Sequence, residues 1–191
     1  GKFNGKWGMF MNNKNLFMQL DDKYIKELII LKLKKYYEFV KGEEYKNSFI
    51  NLTITYGYSD FIEMLSRIAL EKVVERIREI SEQGKVRILF NEEIKINNKK
   101  SDLLKTCDVI LFTNETVEVI RIVPMELDII NVNNDDESMI LGIGVIDKFA
   151  TQMDCKYINL TVIQPNLITT SIYETSINKF LHEYDFSLIW S

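Results

Sequence analysis

The sequence predicts an α/β (α+β) fold, a central mixed sheet flanked by helices, and three observations carry that prediction. Two stretches in the first half repeat their apolar residues every three or four positions. The middle of the chain changes to short strand-like runs, and the last third returns to helix, strand, strand and helix. In order, residues 1–20 hold Phe3, Trp7, Met9, Phe10, Phe17 and Met18 among Gly and Asn without a clean period. They read as an extended or hairpin lead-in. From Asp22 to Val40, Ile25, Leu28, Ile29, Leu33, Tyr36 and Val40 form one helical face, with Asp21 or Asp22 to cap its start and Gly42 its end. Asp60 and Glu63 fit a capping box opening a helix to Gln83, and Gly84 is its stop. The charges on that helix, Arg76 among them, read as a solvated face.

Strands follow at Val86–Ile96, Cys107–Phe112 and Val117–Val123, with a hairpin-type turn at residues 113–116. A helix over Asp135–Met153 precedes a strand at Tyr157–Ile163, broken by Gln164-Pro165-Asn166. A further strand at Thr169–Tyr173 and a helix over Ser176–Ile189, capped by Ser176, complete the order. The whole of 1–191 is expected to be one domain, with 1–20 as lead-in and 21–191 as core.

Composition narrows the function classes. The 191 residues are 46% apolar, 12% aromatic and 27% charged, with 8 Gly and 2 Pro, which excludes collagenous and low-complexity architecture. No run of about 18 uncharged apolar residues exists, so no membrane association is expected. The first residues lack an apolar signal core, and Gly1 in place of Met reads as a trimming point. Cys107 and Cys155 lie in apolar runs without CxxC spacing, as two reduced thiols would in a cytoplasmic protein. The sequons at Asn51, Asn114 and Asn159 are then chance matches. The net charge of −4 is unevenly spread: +5 over residues 1–41, −2 over 42–123 and −7 over 124–191. The basic start suits a polyanion and the acidic end a basic protein surface, although internal ion pairing and a solvated face are the usual causes of such a split. The 26 Ile, 19 Lys and 16 Asn reflect AT-rich coding, which points to a low-GC bacterium or its phage.

Few familiar constellations of chemistry are present. The single histidine, His182, gives no basis for a His-based metal cluster or a Ser/His/Asp triad. Gly142-Ile143-Gly144 lacks the Lys-Ser/Thr of a phosphate loop and reads as small residues that let a helix pack closely.

Four segments carry a family resemblance. They are residues 27–36 of the first helix (ELIILKLKKY), Cys107-Asp108-Val109-Ile110-Leu111 in the central strand, residues 138–144 (SMILGIG) in the later helix, and residues 162–167 (VIQPNL) closing a strand, followed by 170–174 (TSIYE). Together they resemble the PD-(D/E)XK nuclease superfamily in its RecB-like exonuclease branch, closest to a group of uncharacterised phage and prophage proteins. The resemblance implies a restriction-endonuclease-like core. It also implies a site in which an Asp on one strand and an acid-x-Lys on the next hold Mg²⁺ and orient water.

Set against that pattern, Asp108 matches the first acid, while Arg121 stands at the second acid and Val123 at the lysine. No lysine occurs between Lys105 and Lys148. Lys26 replaces a His common in the branch, Glu27 remains, and Glu137 and Leu141 stand where a Gln and a Tyr are usual. Glu92 and Glu93 are further acids near the site. The expectation is a degenerate site, formed from Glu27, Asp108, Arg121, Val123 and Glu137, in which an Asp108–Arg121 pair replaces the cation. No catalytic residue, metal or other cofactor is then expected, and the protein acts by binding. Its partner would be nucleic acid, through Lys26, Lys32, Lys34 and Lys35, or a basic host protein surface. By analogy this suits a phage inhibitor of host defence, such as an anti-CRISPR protein, in the bacterial cytoplasm. The alternative is a Mg²⁺-dependent DNA exonuclease using Asp108, Glu118 and a migrated Lys148, with Asp108 as metal ligand. A homodimer built through the apolar N-terminus is a further possibility.

Overall fold

A computed structural model describes residues 7–11, 21–96, 102–123, 130–164 and 169–183. Its helices are α1 (Asp22–Val40), α2 (Ser48–Tyr56), α3 (Tyr58–Ser81), α4 (Asp136–Met153) and α5 (Ile177–Glu183). Its strands are β1 (Trp7–Met11), β2 (Val86–Ile96), β3 (Leu103–Phe112), β4 (Thr116–Ile122), β5 (Tyr157–Gln164) and β6 (Thr169–Ser176). They form one six-stranded sheet in chain order. Every neighbouring pair is antiparallel except β4 and β5, which run parallel because α4 carries the chain back across the sheet. The expected mixed sheet flanked by helices is therefore what the chain forms.

Most predicted elements stand where their periodicity put them. The α1 face buries Ile25, Ile29, Leu33 and Val40, and the Asp21 carboxylate accepts the Tyr24 N–H at 3.1 Å. Asp21→Ala should remove that cap at a cost of about 1 kcal/mol in a urea melt. Within the lead-in, residues 7–11 form edge strand β1; the remainder lies outside the described residues. Ser176 caps α5 by accepting the Lys179 N–H, and residues 184–189 of that predicted helix lie outside the described residues.

Two predictions need correction. Helix α2 was not expected, and α3 starts at Tyr58 without a side-chain cap. Gly57, at φ +90°, makes the corner between them, and Glu63, far from closing a capping box, reaches Lys26 of α1.

The helices lie on both faces. α1, α2 and α3 pack on one face of the sheet over Ile88, Phe90, Val109, Leu111, Ile120 and Ile122. α4 and α5 pack on the other over Leu89, Ile110, Val117, Val119, Leu160 and Val162.

The hairpin β2–β3 changes faces along its length. In β2, Val86, Ile88 and Phe90 face α1–α3, but beyond Asn91 the even residues Ile94 and Ile96 belong to the α4 core. In β3, Val109 and Leu111 face α1–α3, whereas Cys107 faces α4. Pairing holds its register across the change, from Phe90↔Val109 to Glu92↔Cys107. Asn91, at φ +53°, supplies the reversal, and Asp108 stands opposite it. The far end of the hairpin is therefore covered by α4 on one side. On the other, Glu93, Lys95, Leu104 and Thr106 are exposed.

Candidate functional site

Asp108 lies at this reversal, and its carboxylate faces α1. Its Oδ2 accepts a bond from Lys32 Nζ at 2.5 Å and from the Ile122 backbone N–H at 2.7 Å. The pair lines a cavity of about 270 Å³ between α1 and the sheet. Its other walls are mainly Ile25, Leu28, Phe90, Val109 and Ile122, with Asn91, Thr106 and Lys35 as further polar residues. Lys32 reaches Asp108 because it stands three residues after Ile29 and one before Leu33, beside the buried stripe of α1.

The expected Asp108–Arg121 pair does not form. In β4 the even positions Glu118, Ile120 and Ile122 point to the Asp108 face, so Arg121 and Val123 point to the other. Arg121 instead donates two bonds to Asp135 Oδ2, from Nε at 3.0 Å and Nη2 at 2.6 Å, and Ser138 Oγ donates to the same oxygen at 2.5 Å. Val123 is buried in the α4 core, and Glu137 pairs with Lys105 on that side. Glu27 is exposed on α1. The residues of the degenerate site are thus divided between the two faces of the sheet.

The exonuclease alternative is divided in the same way. Lys148 Nζ bonds Glu92 Oε1 and the Glu93 carbonyl, both at 2.7 Å, on the α4 face. Glu118 shares the Asp108 face, but both of its oxygens are held by Arg76 of α3: Nε to Oε2 at 2.7 Å and Nη2 to Oε1 at 2.5 Å. Asn159 adds a third bond to Oε1 at 3.3 Å. Arg76 is therefore a buried tie and not part of a solvated face. Burial pulls its pKa down, and the bonds to Glu118 and Glu79 more than offset that, so it stays cationic.

A divalent ion does not fit the residues around Asp108. An ammonium and an amide N–H already bond Asp108 Oδ2, and the neighbouring β4 positions facing it are isoleucines with no donor oxygen. Among the described residues no group of three or more His, Cys, Asp or Glu is gathered that could hold a metal. Of the lysines expected to meet nucleic acid, Lys26 pairs with Glu63 and Lys32 with Asp108, while Lys34 and Lys35 are exposed. Cys107 is a free thiol pushed far above its ordinary pKa by burial first and by Asp108 second, and it faces the α4 core. Among the described residues, no helix is long and apolar enough to cross a membrane.

The profile of a family described as "Protein of unknown function (DUF2800)" matches residues 23–186. The chain belongs to this family. The DUF2800 match begins in α1 and takes in every later element of the sheet, so the Asp108–Lys32 cleft lies wholly within it. One solved structure, titled "Crystal structure of SSO0001", is similar at 15% identity with a TM-score of 0.32, over 80% of this chain and 65% of that one. The chain thus spans just under two thirds of that structure's length, and the likeness carries no argument about function. No curated protein matches.

Proposed function

We propose that this DUF2800 chain keeps a nuclease-like scaffold without nuclease chemistry and acts by binding. One observation supports this most strongly: Lys32 and the Ile122 N–H hold the carboxylate that matches the first catalytic acid, and isoleucines face it from β4. A fixed ammonium beside this carboxylate neutralises the charge that would attract Mg²⁺, and among the described residues no second acid shares the position.

Protein is the better partner class. Two of the five α1 lysines are spent on internal acids, which leaves few cations to replace phosphate counterions. In the acidic end, Asp135 and Glu137 pair with Arg121 and Lys105 inside the chain, and this weakens the case for a basic partner surface. A phage-encoded role inside a bacterial host cell, including inhibition of host defence, is a proposal from analogy with the fold.

Two assays test the reading. Incubation with single- and double-stranded DNA in Mg²⁺ or Mn²⁺ should give no cleavage, for the native chain and for Lys32→Ala alike. Calorimetric titration with either metal should show no binding. Cleavage, or tight metal binding lost on Asp108→Ala, would overturn it.

A further inference from the structure

We infer that the cleft between α1 and the far end of the β2–β3 hairpin receives a segment of another protein in which apolar side chains stand beside acidic ones. The inference rests on the reading of this cleft as a binding surface and names its partner.

The cavity is mainly aliphatic, and Lys35 is its one described cation not paired with an acid. Ile25, Leu28, Val109 and Ile122 give it a hydrocarbon wall, Asn91 and Thr106 add polar groups, and the volume of about 270 Å³ accommodates a leucine- or phenylalanine-sized side chain with space to spare. Asp108 is the one carboxylate among the described lining residues, and Lys32 neutralises it. Lys35 also lines the cavity, and no described residue pairs with it, so the cleft holds an excess positive charge.

The rims extend this chemistry outward. Leu31 and Leu104 stand on α1 and β3 at 49% and 68% exposure, next to the cavity wall and to Thr106. Leu31, Lys35 and Phe39 recur every four residues, which makes one stripe along α1, and Phe39 is 85% exposed. An apolar–cation–apolar stripe beside an apolar cavity complements an apolar–acid–apolar segment. A nucleic acid fits less well, because Phe90, the one aromatic ring in the lining, is buried and offers no face for a base.

A displayed library of random dodecapeptides, panned against the full chain, tests this directly. The expected consensus carries Leu or Phe within a few positions of Asp or Glu. A synthetic consensus peptide should bind at least tenfold more weakly to Lys35→Glu and to Leu31→Asp, both exposed positions, in variants whose circular dichroism melts match the native chain. No enrichment, a basic consensus, equal binding to the variants, or displacement of the peptide by a single-stranded oligonucleotide would overturn the inference. DNA cleavage in the assays above would instead sink the binding-only reading, so the two failures are distinguishable.

Discussion

Arg76→Ala is expected to destabilise the fold by about 3–5 kcal/mol, the cost of breaking a buried ion pair by removing one partner. The side chains of Arg76 and Glu118 are 9% and 2% exposed, and the two meet in a bidentate contact that ties α3 to the centre of the sheet. Removing the guanidinium leaves Glu118 buried with only the 3.3 Å bond from Asn159. That bond does not compensate a carboxylate withdrawn from water. Glu118→Ala should be comparably damaging, because the guanidinium keeps only Glu79. The double variant Arg76→Met/Glu118→Leu should lose less than the two single losses combined, since no unpaired charge remains buried. As a reference, breaking the exposed Lys72–Glu75 pair one turn earlier should change stability by no more than about 0.5 kcal/mol. Urea melts of the four variants decide it. A loss under about 1 kcal/mol for Arg76→Ala would mean that the pair is solvated and α3 is not anchored through it.

The sequence contained a sign of this pair that its charge run concealed. Ala69, Val73, Ile77 and Ile80 mark the buried stripe of α3, and Arg76 falls three residues after Val73 and four before Ile80, within the stripe. Charge density around it made the residue look solvated, whereas its phase on the helix placed it inside. α1 was fully legible because its apolar spacing and its Asp21 cap agree. α2 was not, since Phe49, Ile50, Thr53 and Ile54 carry little helical preference, and the Asn47 cap and the tertiary contacts of Phe49, Ile50 and Thr53 hold the helix.

The candidate site was legible at Asp108 and illegible around it, for a backbone reason. Strict alternation assigns faces along a strand only while the pleat is regular, and Asn91 at φ +53° reverses it. Matching the family pattern from Asp108 therefore set Arg121 and Val123 beside a carboxylate that faces the other side of the sheet. Lys32 was recognised as a cation, but its partner lies 76 residues away, on the third strand of the sheet, and no local pattern could pair them.

The Gly142-Ile143-Gly144 run predicts close helix packing, and the geometry gives that packing a sign. In an ordinary helix interior, Gly→Ala gains about 1 kcal/mol. At Gly144 the added Cβ would lie 2.3 Å from Ile94 Cγ2 and 2.6 Å from Ile96 Cδ1. Ile94 is branched at Cβ and fully buried, so it cannot turn aside, and α4 must lift from β2. The expected net loss for Gly144→Ala is about 1–3 kcal/mol, as in overpacked cores. At Gly142 the nearest atoms, Leu160 Cδ2, Phe180 Cζ and Ile158 Cδ1, are side-chain ends at 3.0–3.2 Å that can give by small adjustments. Gly142→Ala should stay within about 1 kcal/mol of the native chain, and because both substitutions share one helix their propensity gain cancels in the comparison. The cleft at Asp108 lies on the opposite face of the sheet, so Gly144→Ala should melt earlier yet still bind the consensus peptide undiminished below its transition. Equal melting of the two variants would show that α4 does not seat Gly144 against Ile94 and Ile96. Loss of peptide binding by the folded variant would show that the two faces are coupled through the reversed hairpin.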